Sequence, residues 1–231
     1  AYGKGLAAET KKAMGEAGKQ PAMEESITAG EKDYSALVSK LKQANIDVIY
    51  FGGYHTEAGL IIRQMRDQGM NTILMGGDAL ITQEFWSITG DAGEGTLMTF
   101  SPDPRKNPAA ADLVKRFKDK GIEPEGYVLY TYAALQAWKQ AAEKAKSFEV
   151  DAVRKAVYGQ EFAAPGGKIK MDEANHHTYK PVLIGEILKD GQFKVVSRSK
   201  GLVKAEPWSQ YTSPDKGCDW IKHQGTYQKK A

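Results

Sequence analysis

VIYFGGYHTEA, residues 48–58, decides how the chain is read. The run Val48-Ile49-Tyr50-Phe51 is short and continuously apolar, which suits a buried strand better than an exposed edge. It stops at Gly52-Gly53 and sets down Tyr54. A helix is predicted from Thr56, with Leu60, Ile61 and Met65 at helical spacing and a stop at Gly69. The phrase then returns as ILMGGD at 73–78, so a second strand ends on a second glycine pair and presents Asp78. Two consecutive units thus end alike, one on a phenol and the other on a carboxylate.

Outward from this pair, strand and helix signals alternate. Residues 3–18 place Leu6, Thr10, Ala13, Met14 and Ala17 on one side of a predicted helix, and a weak strand is predicted over 23–27. The next helix carries Tyr34, Leu37, Val38, Leu41 and Ala44 and stops at Asn45. Its start has two readings, a capping box from Thr28 to Glu31 or a cap at Asp33. A short helix over 83–88 and a strand over 96–100 complete the run. Strands separated by helices of about 10 to 15 residues mean βαβ units and a parallel sheet covered on both faces.

SPDPRKNP at 101–108 reads as a crossover between lobes. Helices are predicted over 109–120, with Leu113, Val114 and Phe117 inward, then over 127–145 and 150–158. The second of these begins apolar on nearly all sides, from Val128 to Leu135, so its start is expected to be buried. From Gly166 the texture changes to short β segments at 168–171, 180–188 and 193–197, with a turn at Asp190-Gly191. After Pro207 no periodicity remains, which reads as a loosely attached tail.

Composition narrows the classes. With 231 residues, 41% hydrophobic and 26% charged, the chain holds one large domain or about one and a half typical ones. No stretch reaches the roughly 18 apolar residues of a membrane span. It does not open on a charged-then-apolar leader, which a mature exported chain also lacks. Net charge is +3, and the lysines are scattered or gathered at Lys216, Lys222, Lys229 and Lys230, without the aromatic-interleaved patch of a nucleic-acid binder. A single cysteine, Cys218, excludes an internal disulfide framework and a multi-cysteine metal site.

Signals for chemistry are sparse. His176-His177 resembles a metal pair, but neighbouring strand residues point to opposite faces. Gly3-Lys4-Gly5 hints at a phosphate loop and lacks the spacing of one. No serine elbow or cysteine-nucleophile motif is present. An enzyme with Asp78 as general base stays as a rival reading, but binding is the better class.

Ligands of open parallel sheets collect at the carboxyl ends of the strands, where Tyr54 and Asp78 fall. Glycine pairs there permit close backbone approach. A carboxylate suits a ligand ammonium, and tyrosines suit an aliphatic body. The plainer reading stands beside this: Gly-Gly as a turn, and Asp78 as a helix cap. Spacing leaves both open.

The segments YGKGLA (2–7), ITAGEKDYSALV (27–38), NID (45–47), YFGGYH (50–55), GEG (93–95) and YTYAAL (130–135) resemble the leucine/isoleucine/valine-binding proteins, the solute-binding components of bacterial ABC importers. The similarity runs from Tyr2 to about Ser199, and TAGEKD and GGYH are its most specific parts. The resemblance implies a type I periplasmic binding fold, an α/β architecture of parallel sheets flanked by helices in two lobes that close on a ligand. It implies ligand contacts at Tyr2, Tyr54 and Asp78 from the second lobe and at Tyr127 from the first. The acidic position, glutamate in the best-known members, would hold the ligand's α-ammonium; the shorter Asp78 implies another set of small aliphatic amino acids, or a related molecule such as GABA.

By the same resemblance most of the first lobe, with the groups that hold the ligand carboxylate, lies upstream of this chain, so the helices that would cover it, notably from Tyr127 to Leu135, are expected to be exposed in the chain alone. The second lobe is expected to comprise 1–100 and 185–205, part of the first lobe 102–182, and a tail 206–231. One hypothesis pairs Cys218 with a cysteine in the absent N-terminal portion; intact mass of the full-length protein with and without reductant decides it. The implied partners are a small aliphatic amino acid, that missing portion and an inner-membrane ABC permease, with no cofactor, no metal and no nucleic acid, in the periplasm. NHHTYKP at 175–181 is similar to the branch of the superfamily that binds or senses short amides and urea, which stands as the alternative.

Overall fold

The structure is a computed structural model that describes residues 2–165, 167–171, 183–188 and 193–198. Its helices are α1 (Tyr2–Glu16), α2 (Ser35–Gln43), α3 (His55–Asp67), α4 (Gln83–Thr89), α5 (Ala111–Lys118), α6 (Val128–Ala145) and α7 (Val150–Val157). Its strands are β1 (Val48–Phe51), β2 (Ile73–Gly76), β3 (Leu97–Phe100), β4 (Glu161–Ala164), β5 (Gly167–Lys170), β6 (Leu183–Ile187) and β7 (Phe193–Arg198). The described residues form two compact units, one of 2–102 with 183–188 and 193–198, the other of 103–165 with 167–171.

The first unit is built on a sheet of order β1-β2-β3-β6-β7. The apolar runs at 48–51 and 73–76 lie parallel, Val48 opposite Ile73 and Phe51 opposite Gly76, and β3 continues parallel to β2. Helices α3 and α4 are the crossovers that parallel pairing demands. β6 and β7 then add antiparallel, so the sheet is mixed rather than wholly parallel. Alternation along the strands buries Phe51, Leu74, Met98 and Phe100, while Val48 and Ile73 stay exposed. Ile61, Ile62 and Met65, at the helical spacing of one apolar face, are buried on α3. Each such side chain contributes about 1.5–3 kcal/mol by leaving water.

Three local expectations change. Residues 23–27 join no ladder. Their adjacent glutamates break any apolar alternation and go instead to lysines of the flanking helices, Glu24 to Lys11 and Glu25 to Lys40. The capping box over 28–31 does not form, because α2 starts only at Ser35; Asp33 accepts the Ser35 N–H at 2.8 Å. The segment before α2 is instead fastened to α3. Gln64 accepts the Tyr34 N–H at 2.7 Å and donates to the Lys32 carbonyl at 3.1 Å, and Glu57 accepts the Gly30 N–H at 3.1 Å.

In the second unit α6 and α7 pack Ala141, Ala142 and Val153 around Phe162 of the β4–β5 hairpin. Strand β4 was not expected. The start of α6 is not wholly buried either: Leu129 and Ala133 are, but Leu135 is 62% exposed. Two 3-10 turns form at Pro104–Lys106 and Pro108–Ala110, and the side chains of Asp103 and Asn107 accept the N–H groups of Arg105 and Ala109, each at 3.0 Å. Arg105 in turn grips Asp103 and reaches Glu123 at 2.9 Å. The turn at Asp190-Gly191, the histidines 176 and 177, the segment 175–181, Cys218, the tail lysines and the tail after Pro207 lie outside the described residues.

Candidate functional site

The two glycine pairs close the carboxyl ends of β1 and β2, and each glycine is there for space. None of the four has a positive φ. A Cβ on Gly52 would overlap the carbonyl oxygen of Gly3, and one on Gly3 would overlap that of Gly52, so the two backbones touch reciprocally. A Cβ on Gly53 would lie 2.5 Å from the Phe51 ring, and one on Gly76 2.6 Å from Leu80. At Gly77 it would lie 2.7 Å from the Tyr2 hydroxyl and 3.1 Å from Leu6. Separations under about 3 Å are not met by real side chains, so at Gly3 and Gly52, where the opposing atom is backbone, glycine is the residue that fits, while at Gly53, Gly76 and Gly77 a side chain would have to shift.

These contacts seat the first turn of α1 on the loops after β1 and β2. The Tyr2 ring stacks on Tyr54, centroids 5.2 Å apart and planes inclined by 28°. Tyr54 holds the N-cap position of α3, caps nothing with its side chain, and is 55% exposed. The Tyr2 hydroxyl donates to Asp78 Oδ1 at 2.6 Å, the short distance of a bond to an ionised acceptor. Burial above all, then the hydrogen bond and charge of Asp78, hold the Tyr2 phenol above its ordinary range, so it remains a donor.

Asp78 opens a 3-10 turn, Asp78–Leu80, whose cap is Gly77. The cap of the following helix α4 is Thr82, which accepts the Phe85 N–H at 3.1 Å. The side chain of Asp78 is therefore turned to Tyr2 rather than to a helix end. Tyr2, Tyr54 and Asp78 are thus brought together in one unit. Tyr127 belongs to the other unit, where it precedes α6, is 47% exposed and lies 6.0 Å from Tyr130, ring to ring.

One residue that matters here, Gly3, was not singled out from the sequence as part of the site. Gly3 and Gly5 lie inside α1, as the helix predicted over 3–18 has them; Gly3 packs on Gly52, and Gly5 faces open space. The usable signal was the pairing of each tyrosine with a nearby glycine, Tyr2-Gly3 and Gly52-Gly53-Tyr54. Among the described residues no group of three histidine, cysteine or acidic side chains is placed to hold a metal. No helix among them is long and apolar enough to cross a membrane.

Residues 1–192 match the family model described as periplasmic binding protein. The chain is 54% identical over 156 residues to the Leu/Ile/Val-binding protein homolog 1 of Brucella suis biovar 1, covering 68% of this chain and 42% of that protein. It is 46% identical over 195 residues to the Leu/Ile/Val-binding protein homolog 2 of Brucella abortus, covering 83% and 53%. Among solved structures it is similar to a leucine binding protein, LivK, of Thermotoga maritima, with a TM-score of 0.76 at 30% identity, covering 85% of this chain and 57% of that one. The chain spans about half the length of the curated relatives it matches.

Proposed function

Because the chain belongs to the periplasmic binding protein family, we propose that it is part of the solute-binding component of an ABC importer, taking a small aliphatic amino acid, branched-chain or related. Its architecture, a parallel-rich sheet flanked by helices, is that of the type I periplasmic binding proteins. The observation that carries the proposal is the Asp78 carboxylate held by Tyr2 beside an aromatic stack, at the carboxyl ends of adjacent parallel strands. That is a place for an ammonium group with an apolar body next to it.

In this reading Asp78 pairs with the ligand's ammonium, Tyr54 and Tyr127 wall its side chain, and Tyr2 flanks it. Residues 1–100 and 185–205 belong to the second lobe and 102–182 to the first, whose remainder comes from the rest of the full-length protein. The complete protein works in the periplasm, grips its ligand between the lobes and delivers it to an inner-membrane permease by docking, without catalysis. Relatives that carry the name of Leu/Ile/Val-binding proteins support the ligand class.

Calorimetric titration of leucine, valine, alanine and GABA into the full-length protein tests it. Micromolar or tighter binding that Asp78→Ala weakens by about two orders of magnitude is the expected result, in keeping with the loss of a paired charge. Tight binding indifferent to the substitution would remove Asp78 from the site. No binding of any of the four would overturn the ligand class.

A further inference from the structure

A phenol has one proton to donate, and that of Tyr2 goes to Asp78 Oδ1. Its one donor is therefore committed to the protein. Tyr2 thus ties α1 to the loop after β2 through Asp78, while its ring rests on Tyr54 at the start of α3. Helix α1 has no fully buried side chain of its own. What seats it is the reciprocal Gly3–Gly52 contact, with Leu6 over Gly77.

We propose that Tyr2 is a positioning residue: seated by the Gly3–Gly52 contact, it fixes the Asp78 carboxylate and the Tyr54 ring relative to each other and acts on the ligand's ammonium through Asp78. The inference rests on the reading of Asp78 as the ammonium partner. It narrows the ligand class to molecules bearing an ammonium group, because the residue so carefully held is the carboxylate. It also gives Gly3 and Gly52 a task, since a methyl group on either would lift Tyr2 off both of its neighbours.

The test is a double-mutant cycle in the full-length protein, with Tyr2→Phe, Asp78→Asn and the pair. Leucine affinity is measured by calorimetry, and stability by melting without ligand. Tyr2→Phe keeps the ring and loses only the hydroxyl. It is expected to weaken leucine binding roughly tenfold in the wild-type background, as the loss of a hydrogen bond to a charged group does. In the Asp78→Asn background it is expected to change affinity by less than about twofold.

Equal weakening in both backgrounds would mean that the hydroxyl touches the ligand itself, and would overturn the proposal. So would an unchanged affinity in Tyr2→Phe. If the wild-type protein binds none of leucine, valine, alanine and GABA, the functional reading has failed on its own account. The ligand-free melts then decide the strut: non-additive losses support it, and additive losses overturn it. Gly3→Ala, if it folds, is expected to weaken leucine binding at least as much as Tyr2→Phe.

Discussion

At the residue scale, glycine has two separate uses in this chain, and one experiment separates them. Gly52 faces a backbone carbonyl that cannot move aside, whereas Gly5, at the end of the first turn of α1, faces open space. Gly52→Ala is therefore expected to destabilise by about 1–3 kcal/mol, as overpacking does. Gly5→Ala is expected to stabilise by about 0.5–1 kcal/mol, by removing backbone freedom within a helix. Urea denaturation of both variants checks the pair, and similar shifts in one direction would reject this account of Gly52. The sequence named the carboxyl ends of the strands as the place to look, because an apolar run broken by Gly-Gly is visible in one dimension. It did not show that Gly3 is the reason for Gly52, since a contact across 49 positions leaves no local pattern. Nor could it tell whether the carboxylate of Asp78 faced a helix end or a tyrosine, because both uses need the same residue.

At the element scale, what was legible followed from burial. Strand β1 falls on the very residues expected, and β2, β3, α3 and α4 within a residue or so of the expected spans, because the strands are short, largely apolar runs bounded by turn residues and the helices carry apolar side chains at helical spacing. The failures are elements held by side chains rather than by pattern. Strand β4 has the sequence EFAA, too short to alternate persuasively. It is fixed on its outer side by Gln140 of α6, whose amide donates to the Ala163 carbonyl at 3.0 Å and accepts the Ala163 N–H at 3.1 Å. One side chain thus takes the place of a neighbouring strand. Gln140→Ala is expected to cost about 1–3 kcal/mol in stability, from two backbone groups losing their partner. It is also expected to raise amide exchange at Ala163 while leaving the core around Leu74 protected. Unchanged exchange at Ala163 would show that the hairpin holds without the amide. The stretch 23–27 is the converse case, in which a pair of glutamates outweighed a weak β preference.

At the scale of the whole molecule, the alternation of strand and helix gave the class of the fold, and the mixed edge of the sheet was the part it concealed, because antiparallel β6 comes from far along the chain. The apolar start of α6 posed a harder question. The apolar run by itself predicts burial, and the resemblance predicts exposure in this chain alone; Leu135 is 62% and Trp138 50% exposed, and Phe148, 81% exposed, stacks on Trp138 with ring centroids 6.0 Å apart. Leu135 and Trp138 are three residues apart and share a helix face, so this is a patch and not scattered exposure. The 231-residue chain corresponds to about half of its curated relatives, and the proposed reading assigns α6 to a lobe whose remainder lies elsewhere in the full-length protein. On that reading the patch is covered in the complete protein and bare in this chain alone. The chain by itself is expected to self-associate at micromolar concentration, and Leu135→Glu with Trp138→Glu is expected to make it more monomeric without lowering its melting temperature. Surface substitutions of that kind usually move stability by less than about 0.5 kcal/mol. Acrylamide quenching then compares the two forms, each against its own Trp138→Phe variant so that the signal of that one indole is isolated among four tryptophans. Strong quenching of Trp138 in the chain alone, measured below the concentration at which it associates, and weak quenching in the full-length protein is the expected outcome. Equal quenching in both would mean that nothing in the longer protein covers α6, and the assignment of 102–182 to the first lobe would have to be withdrawn.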